Sequence, residues 1–477
     1  MTSISILKFI DRSIESNRFP WTIGITLYTI SYGFMFGFLD AYFWDDWFVN
    51  FKLNETEAHQ YWKDNLGFFP TNRFIEISLL NRNPVLFHLL TFLIFLMIPV
   101  VTFSIAKCFK LIGQAQRFYF AIILLVLPIN SARVSMACFR LSYSLLIFLV
   151  AWLVLVHPRT SKYKYLSTPL FTFSFLAQSL IPFFVLPCLH HWYLGITQND
   201  EQRKMKTLFR FSFLAVAPLY LFIAWVFDPP VKERQEYFTP GLSGVVRAIV
   251  ILVAVSLIFV WSAIRKHKDE DQWRINVLFS LSFFALTLGA AAYIASGRLV
   301  DISEWMMNFV PRASDWESRH QLLLGLGIAL FVSTLLMTID RGIRTRVFVG
   351  LVGICVVLNL SMMQGYYFDA LKQKETVSLL SNIEEISEWN SVLVADEADV
   401  YNARNRGIRS YEWEQMIIKA GGNENVAVVT SIQPCEIGQE TEPAVYLLVT
   451  PSRGRLAAMV KGEVGINIRI TSVSVCL

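Results

Sequence analysis

The segment WTIGITLYTISYGFMFGFLDAYFWDDWFVN, residues 21–50, is a hydrophobic run that ends in two adjacent carboxylates, Asp45 and Asp46. Residues 21–41 are long and apolar enough to cross a bilayer, which takes about 20 residues. A third carboxylate, Asp40, lies just before the pair, and aromatic residues surround all three. The segment therefore predicts a first transmembrane helix with paired negative charges at its rim.

The composition of the whole chain is that of a membrane protein. Its 477 residues are 54% hydrophobic and 17% charged, with a mean hydropathy of +0.46. Soluble domains carry roughly 25% charged residues. Apolar runs recur as far as about residue 365 and then stop. The sequence therefore predicts a mainly α, polytopic membrane domain over residues 1–366 and a separate domain over residues 367–477.

The C-terminal segment reads as a small α/β domain. SVLVAD, AVYLLVT and INIRITSVSV are typical of strands, whereas DALKQKETVSLLSNIEEISEW has the apolar spacing of a helix. Residues 1–20 contain no cleavable signal pattern, so we expect the first span to act as its own insertion signal.

Eleven transmembrane segments are predicted by hydropathy. They lie near residues 21–41, 85–106, 118–130, 141–157, 166–177, 180–195, 211–227, 245–264, 275–295, 321–339 and 347–365. The third and fifth are short and could be re-entrant or buried in protein, where irregular backbone is tolerated.

The distribution of basic residues sets the orientation. If the N-terminus is cytoplasmic, every inside segment carries three or four Lys or Arg residues, and the outside loops together carry fewer although their total length is greater. This agrees with the positive-inside rule. The predicted topology has the N-terminus inside, and places the first external loop, residues 42–84, and the C-terminal domain together on the extracytoplasmic side.

The acidic pair of the first loop is a candidate catalytic site. A carboxylate in an aromatic, partly desolvated setting acquires a raised pKa and acts as a general base. We expect Asp45 or Asp46 to be that base, with Asp40 in a supporting role. The pair is also compatible with a divalent metal, Mg²⁺ or Mn²⁺. The simpler alternative is that Asp45 and Asp46 only cap the end of the span in water.

Basic residues predicted to lie outside are candidates for binding a phosphate, because guanidinium groups bind phosphate bidentately. Arg312, Arg319 and His320 precede a predicted span, where positive charge is unusual outside. In the alternative, Arg319 forms a local ion pair with Asp315 or with Glu317. If Glu317 is not used in this way, we expect it to support the site.

Arg133 and Arg140 form a second basic candidate. They lie seven residues apart in a short external connection and would share one face of a helix. In the alternative, both side chains extend to the lipid headgroups.

Two cysteines and the absence of several motifs also bear on the compartment and the function. Cys435 and Cys476 are the only cysteines outside the membrane portion, and an exported domain could join them in a disulfide. The sequence contains no HExxH motif, no glycine-rich phosphate loop and no Walker motif, which argues against a nucleotide-driven pump. Nothing in the charge pattern indicates a nucleic-acid partner.

The position of DD in YFWDDWF, together with the span pattern and the segment TNRFIEISLLNRNPVLFHLL, resembles the GT-C superfamily of membrane glycosyltransferases. Within it, the chain is similar to bacterial O-antigen glucosyltransferases and related envelope enzymes. The resemblance implies a polyprenyl-phosphate sugar donor, a glycan or lipid-linked glycan acceptor, and a location in the bacterial inner membrane. It implies a first-loop carboxylate as the catalytic group and outer basic residues that hold the lipid phosphate.

Two other functional classes compete with this one. A transporter or lipid flippase would use the acidic pair for ion coupling. Transporters usually place such carboxylates near the midplane of the bilayer, often in proteins built from two repeated halves. An assembly or sensor protein would use the C-terminal domain as its binding part. Only the enzyme is expected to lose all function on an Asp→Asn change while it still folds.

Overall fold

The computed structural model describes residues 13–15, 18–47, 83–175, 177, 179–196, 216, 219–220, 242–265, 269–295, 321–403, 406–430, 441–454, 457–458 and 463–476. The protein is mainly helical with a small C-terminal sheet, which confirms the predicted class. The helices are α1 (Trp21–Tyr32), α2 (Pro84–Cys108), α3 (Gln114–Val126), α4 (Phe139–Val156), α5 (Ser167–Ser174), α6 (Leu180–Phe183), α7 (Val185–Ile196), α8 (Leu242–Ile264), α9 (Glu270–Ala295), α10 (Leu324–Thr338), α11 (Arg341–Leu380) and α12 (Ser410–Lys419).

Among the described residues, five helices, α2, α4, α8, α9 and α11, are long and apolar enough to cross a membrane. Helix α8 shows this most clearly, because only 6% of its most apolar window is buried inside the protein. Its exposed side chains include Val250, Leu257 and Ile264, which lipid tails would solvate. These helices support a membrane protein. The predicted total of eleven spans and their sidedness stay predictions, and segment 211–227 lies mostly outside the described residues.

Local sequence explains how the helices begin and end. Asn83 is the N-cap of α2, where its side-chain oxygen accepts a 3.1 Å hydrogen bond from the Leu86 amide, and Pro84 occupies the first turn. Helix α1 ends earlier than the predicted first span, and a 3-10 turn, Gly33–Gly37, continues it. This tightening occurs in GFMFG, where the two glycines weaken the α-helix.

Helix α11 runs for 40 residues without a break, from Arg341 to Leu380. It therefore passes straight through the predicted domain boundary between residues 366 and 367. Its first half exposes apolar side chains such as Ile354 and Val357, whereas its second half buries polar ones, including Asp369 and Lys372. One helix thus contributes to the main core of the helical bundle and to the core of the C-terminal domain.

The C-terminal sheet has four strands in the order β2-β1-β3-β4. The strands are β1 (Ser391–Asp396), β2 (Ala427–Val429), β3 (Thr441–Pro451) and β4 (Ile466–Cys476). β1 pairs in parallel with β2 and β3, and β3 pairs antiparallel with β4. The predicted strands SVLVAD, AVYLLVT and INIRITSVSV all lie in this sheet. Its core includes Trp413 and Met416 of α12 and Trp47 from the first loop.

Candidate functional site

The acidic pair lies on a single helical turn, Asp45–Trp47, at the junction between the helical bundle and the C-terminal domain. Trp44 packs into the core of the bundle, whereas Trp47 packs into the core of the C-terminal domain. The Trp47 indole nitrogen donates a 3.0 Å hydrogen bond to Gln373 Oε1 of α11. The FWDDW segment therefore joins the two cores.

Asp46 is buried, with 1% of its surface exposed, and its carboxylate accepts three hydrogen bonds. Oδ2 accepts from the backbone amides of Phe43 at 3.2 Å and Met136 at 3.0 Å. Oδ1 accepts from the Ser135 hydroxyl at 2.7 Å. Both oxygens are therefore committed to protein donors, and Asp46 connects the first loop to the turn that precedes α4.

Two non-glycine residues have a left-handed backbone conformation: Trp44, two residues before Asp46, and Asn130, which precedes the 3-10 turn Ser131–Val134. Trp44 has φ +54° and Asn130 has φ +55°, and they are the non-glycine examples among the described residues. Asn tolerates this conformation, whereas a bulky side chain such as Trp adopts it rarely and at a cost of roughly 1–3 kcal/mol. The surrounding packing must hold Trp44 there, and it includes the Tyr366 ring, 5.8 Å away between centroids.

Asp45 lies on the same turn as Asp46, next to Trp44, while its side chain lies outside the described structure. Asp40 is exposed and pairs with Lys374 of α11 at 2.8 Å. Burial alone would raise the pKa of Asp40, but the hydrogen bond and charge of Lys374 outweigh it and hold that pKa below its usual value. Asp40 is therefore a carboxylate ion at neutral pH and faces solvent.

Lys419 of α12 covers the outer face of the junction. Its Nζ lies 5.2 Å from the centroid of the Tyr42 ring and 5.4 Å from that of Trp47. Burial is the largest influence on the pKa of Lys419 and lowers it. The negative charge of Asp40 raises this pKa, but by less than burial lowers it. The cation and the two rings stabilise one another, so α12 is held against the first loop.

A buried charged network lies directly under the acidic turn. Arg406 Nη1 lies 3.2 Å from both carboxylate oxygens of Asp369, and Nη2 lies 2.5 Å from Glu412 Oε1. The guanidinium also faces the rings of Phe43 and Trp44, at 5.7 and 5.2 Å. Burial alone would lower the pKa of Arg406, but the two carboxylates outweigh it and raise that pKa. Arg406 is therefore a permanent cation against the first loop.

A second buried pair extends the network into the sheet. Lys372 Nζ lies 2.7 and 2.6 Å from the two oxygens of Asp396, at the end of β1, and 2.7 Å from Asn402 Oδ1. The Asn402 amide donates onward to the carbonyl of Arg406 at 2.9 Å. The second half of α11 is thus connected to the C-terminal domain by ion pairs as well as by apolar packing.

Two of the arginines predicted to bind phosphate, Arg133 and Arg140, lie in the described part of the chain and differ in burial. Arg133 is buried, donates to the carbonyls of Asn130 and Ile129, and lies over the rings of Tyr32 and Phe95 at 4.5 and 4.3 Å. It holds the 3-10 turn Ser131–Val134 and does not face solvent. Arg140 lies partly exposed on the first turn of α4.

Several predicted residues lie outside what the structure describes. These are Arg312, Arg319, His320, Glu317 and Cys435, together with the side chain of Cys476. Within the described part of the chain, no group of three or more His, Cys, Asp or Glu side chains could hold a metal ion. A metal site that includes Asp45 therefore stays a prediction.

The network of Asp369, Lys372, Arg406 and Glu412 was missed by the sequence analysis. Its signal lies in DALKQKET, where Asp369, Lys372, Gln373 and Thr376 recur at helical spacing. A polar stripe on a helix normally faces solvent. Here all four side chains are buried, because the C-terminal domain covers that face.

Comparisons with family models, with curated proteins and with solved structures found no match to this chain.

Proposed function

We propose that the protein is a membrane glycosyltransferase that transfers a sugar from a polyprenyl-phosphate donor to a cell-envelope glycan. The observation that carries the proposal is the acidic turn Asp45–Trp47 at the junction of the helical bundle and the C-terminal domain. A donor with its chain in the bilayer and its phosphate at the surface would reach this depth. The C-terminal domain would take part in binding the acceptor.

Within this proposal Asp45 is the general base. Both carboxylate oxygens of Asp46 already accept hydrogen bonds from the protein, so neither is open to an acceptor hydroxyl. Asp46 therefore positions the turn, and Asp45 takes the proton from the acceptor hydroxyl. As the acceptor oxygen bonds to the sugar carbon, the bond from that carbon to the phosphate oxygen breaks. The lipid phosphate leaves with the electron pair.

Positive charge near the leaving phosphate stabilises the transition state. We assign this role to Arg140, Arg312, Arg319 and His320. Arg133 supports the site indirectly, because its guanidinium is occupied by the carbonyls and rings around it. The proposal includes eleven spans with the N-terminus on the cytoplasmic side of the bacterial inner membrane. In that topology the acidic turn and the C-terminal domain lie on the periplasmic side.

Sugar transfer in membranes tests the proposal directly. Membranes that contain wild type, Asp45→Asn or Asp40→Asn receive radiolabelled polyprenyl-phosphate sugars, and label in the glycan is counted. Loss of a general base lowers the rate by about 10²–10⁴-fold, so we expect that loss for Asp45→Asn at unchanged protein level. Asp40→Asn, which removes an exposed carboxylate from the same segment, serves as the control and should retain activity.

Two results would refute the proposal. One is a wild type that consumes no polyprenyl-phosphate sugar, which would favour the transporter. The other is an Asp45→Asn variant that transfers sugar at the wild-type rate.

A further inference from the structure

A cavity of about 340 Å³ lies within the helical bundle, far from the acidic turn. Helix α2 begins beside the first loop, where His88 Nδ1 lies 2.7 Å from the Leu39 carbonyl, and ends at Cys108 near the cavity. Thr102 is the first residue of α2 that lines the cavity, and it lies 14 residues after His88, or roughly 21 Å along the helix at 1.5 Å per residue. The cavity is therefore distinct from the proposed catalytic site.

The cavity wall is almost entirely apolar and includes Phe120, Leu149 and Leu330. One buried polar group on this wall lacks a partner. His190 Nδ1 accepts a 3.1 Å hydrogen bond from the Trp152 indole, so its proton is on Nε2, and Nε2 makes no hydrogen bond of normal geometry. The Cys108 carbonyl lies near this ring, but without the geometry of a hydrogen bond to Nε2. A ligand with an oxygen acceptor would satisfy the unpaired donor.

A positive charge lies beside one end of the cavity. Leu111, which lines the cavity, accepts a hydrogen bond on its carbonyl from Arg274 Nε. The same guanidinium lies against Gly113, the N-cap of α3, so closely that a Cβ there would be 2.5 Å from Nη2. Arg274 thus adds its charge to the positive end of the α3 dipole.

Arg117, on the next turn of α3, adds a second cation. Its Nε is buried and has no hydrogen-bond partner, and its charge is repelled by that of Arg274. Among the described residues neither arginine forms an ion pair, although Glu270 and Asp271 occupy the first turn of the helix that carries Arg274. Two close guanidinium groups at a helix N-terminus form a binding site for a phosphate group.

We propose that this cavity binds one acyl chain of an anionic glycerophospholipid, with the phosphate held by Arg117 and Arg274. A glycerophospholipid carries an ester carbonyl between its phosphate and its hydrocarbon chain, and that carbonyl would accept from His190 Nε2. A polyprenyl phosphate has no such carbonyl. The site lies at the opposite end of α2 from Asp46 and is independent of the proposed catalytic function.

Native mass spectrometry of the full-length protein tests the proposal. The protein is purified in detergent and mixed with equal amounts of phosphatidylglycerol and phosphatidylcholine that have the same acyl chains. We expect the wild type to retain one phosphatidylglycerol with about a tenfold preference, because the choline cation of phosphatidylcholine is repelled by the two guanidinium groups, whereas phosphatidylglycerol carries the same phosphate without a positive charge. Arg117→Gln should lose that preference, and it breaks no hydrogen bond seen in the structure.

Arg341→Gln is the matched control, since it removes one exposed arginine from the same end of the bundle. It should retain phosphatidylglycerol as the wild type does. Added phosphatidylglycerol should also raise the thermal midpoint of the wild type and of Arg341→Gln, but not that of Arg117→Gln. Equal retention of the two lipids by the wild type would overturn the proposal. Displacement of phosphatidylglycerol by an equimolar polyprenyl phosphate would overturn the choice of ligand.

Discussion

Two substitutions at Asp46, to Ala and to Asn, separate a structural role from a catalytic one. Ala removes all three accepted hydrogen bonds and leaves the amides of Phe43 and Met136 without this acceptor. A buried donor that loses its partner costs roughly 1–3 kcal/mol. For two amides the free energy of unfolding should therefore fall by roughly 2–6 kcal/mol, a large part of the stability of most proteins.

Asn should be tolerated better than Ala. Its amide oxygen can take the position of Oδ2 and accept from the same two backbone amides. Its NH₂ group then faces the Ser135 hydroxyl, which can rotate and accept, since a hydroxyl both donates and accepts. Only the charge assistance is lost, which is worth about 1 kcal/mol for each bond. The expected order of stability is wild type, then Asp46→Asn, then Asp46→Ala.

The assay combines thermal unfolding in a fixed detergent with sugar transfer at a temperature well below the lowest midpoint. If Asp46 positions the turn, Asp46→Asn keeps measurable transfer, and its midpoint lies between those of wild type and Asp46→Ala. Ser135→Ala, which removes one donor to a buried carboxylate and keeps both amide bonds, should cost roughly 1.5–3 kcal/mol. An Asp46→Ala protein as stable as wild type would refute the hydrogen-bond argument. A fully stable Asp46→Asn protein without transfer would make Asp46 the base.

Three further predictions concern stability. Arg406→Met should lower the free energy of unfolding by about 3–5 kcal/mol, because it leaves two buried carboxylates unpaired; limited proteolysis of the C-terminal domain would show the loss. Gly327→Ala should destabilise by about 1–3 kcal/mol, since its Cβ would lie 2.8 Å from a backbone nitrogen of α9; Gly350→Ala, with nothing within 4 Å, is the thermal-unfolding control. The Asp40–Lys374 pair, whose carboxyl pKa is lowered on folding, should stabilise above about pH 4 and stop doing so as the pH falls further. Because the pair is exposed, its effect should stay below about 1 kcal/mol and vanish in Asp40→Asn, as acid titration of the unfolding midpoint would show.

The positions of helices and strands follow mainly from local patterns. Apolar runs of span length predicted α2, α4, α8 and α9, and the alternation in SVLVAD predicted β1. The predicted domain boundary at residue 366 does not coincide with the end of a helix, because α11 continues through it. Hydropathy reports where the apolar surface stops, and a helix can continue beyond that point when a second core covers its polar face.

The candidate site shows the same division. The sequence singled out Asp45 and Asp46 by their place at the end of an apolar run, and it could not tell one carboxylate from the other. Their difference depends on Ser135 and Met136, which lie 89 and 90 residues along the chain from Asp46. The pairing of Trp47 with Gln373 spans 326 residues.

From the sequence alone came the membrane character, the long apolar helices, three of the four described strands, and the adjacent carboxylates Asp45 and Asp46 at the end of an apolar run. Each of these depends on residue type and on spacing along the chain. Tertiary structure placed Asp46 in a closed set of donors, buried the polar face of α11 beneath the C-terminal domain, and brought Arg117 close to Arg274. These contacts join residues from distant parts of the chain, so they exist only once the helices and the sheet have packed together.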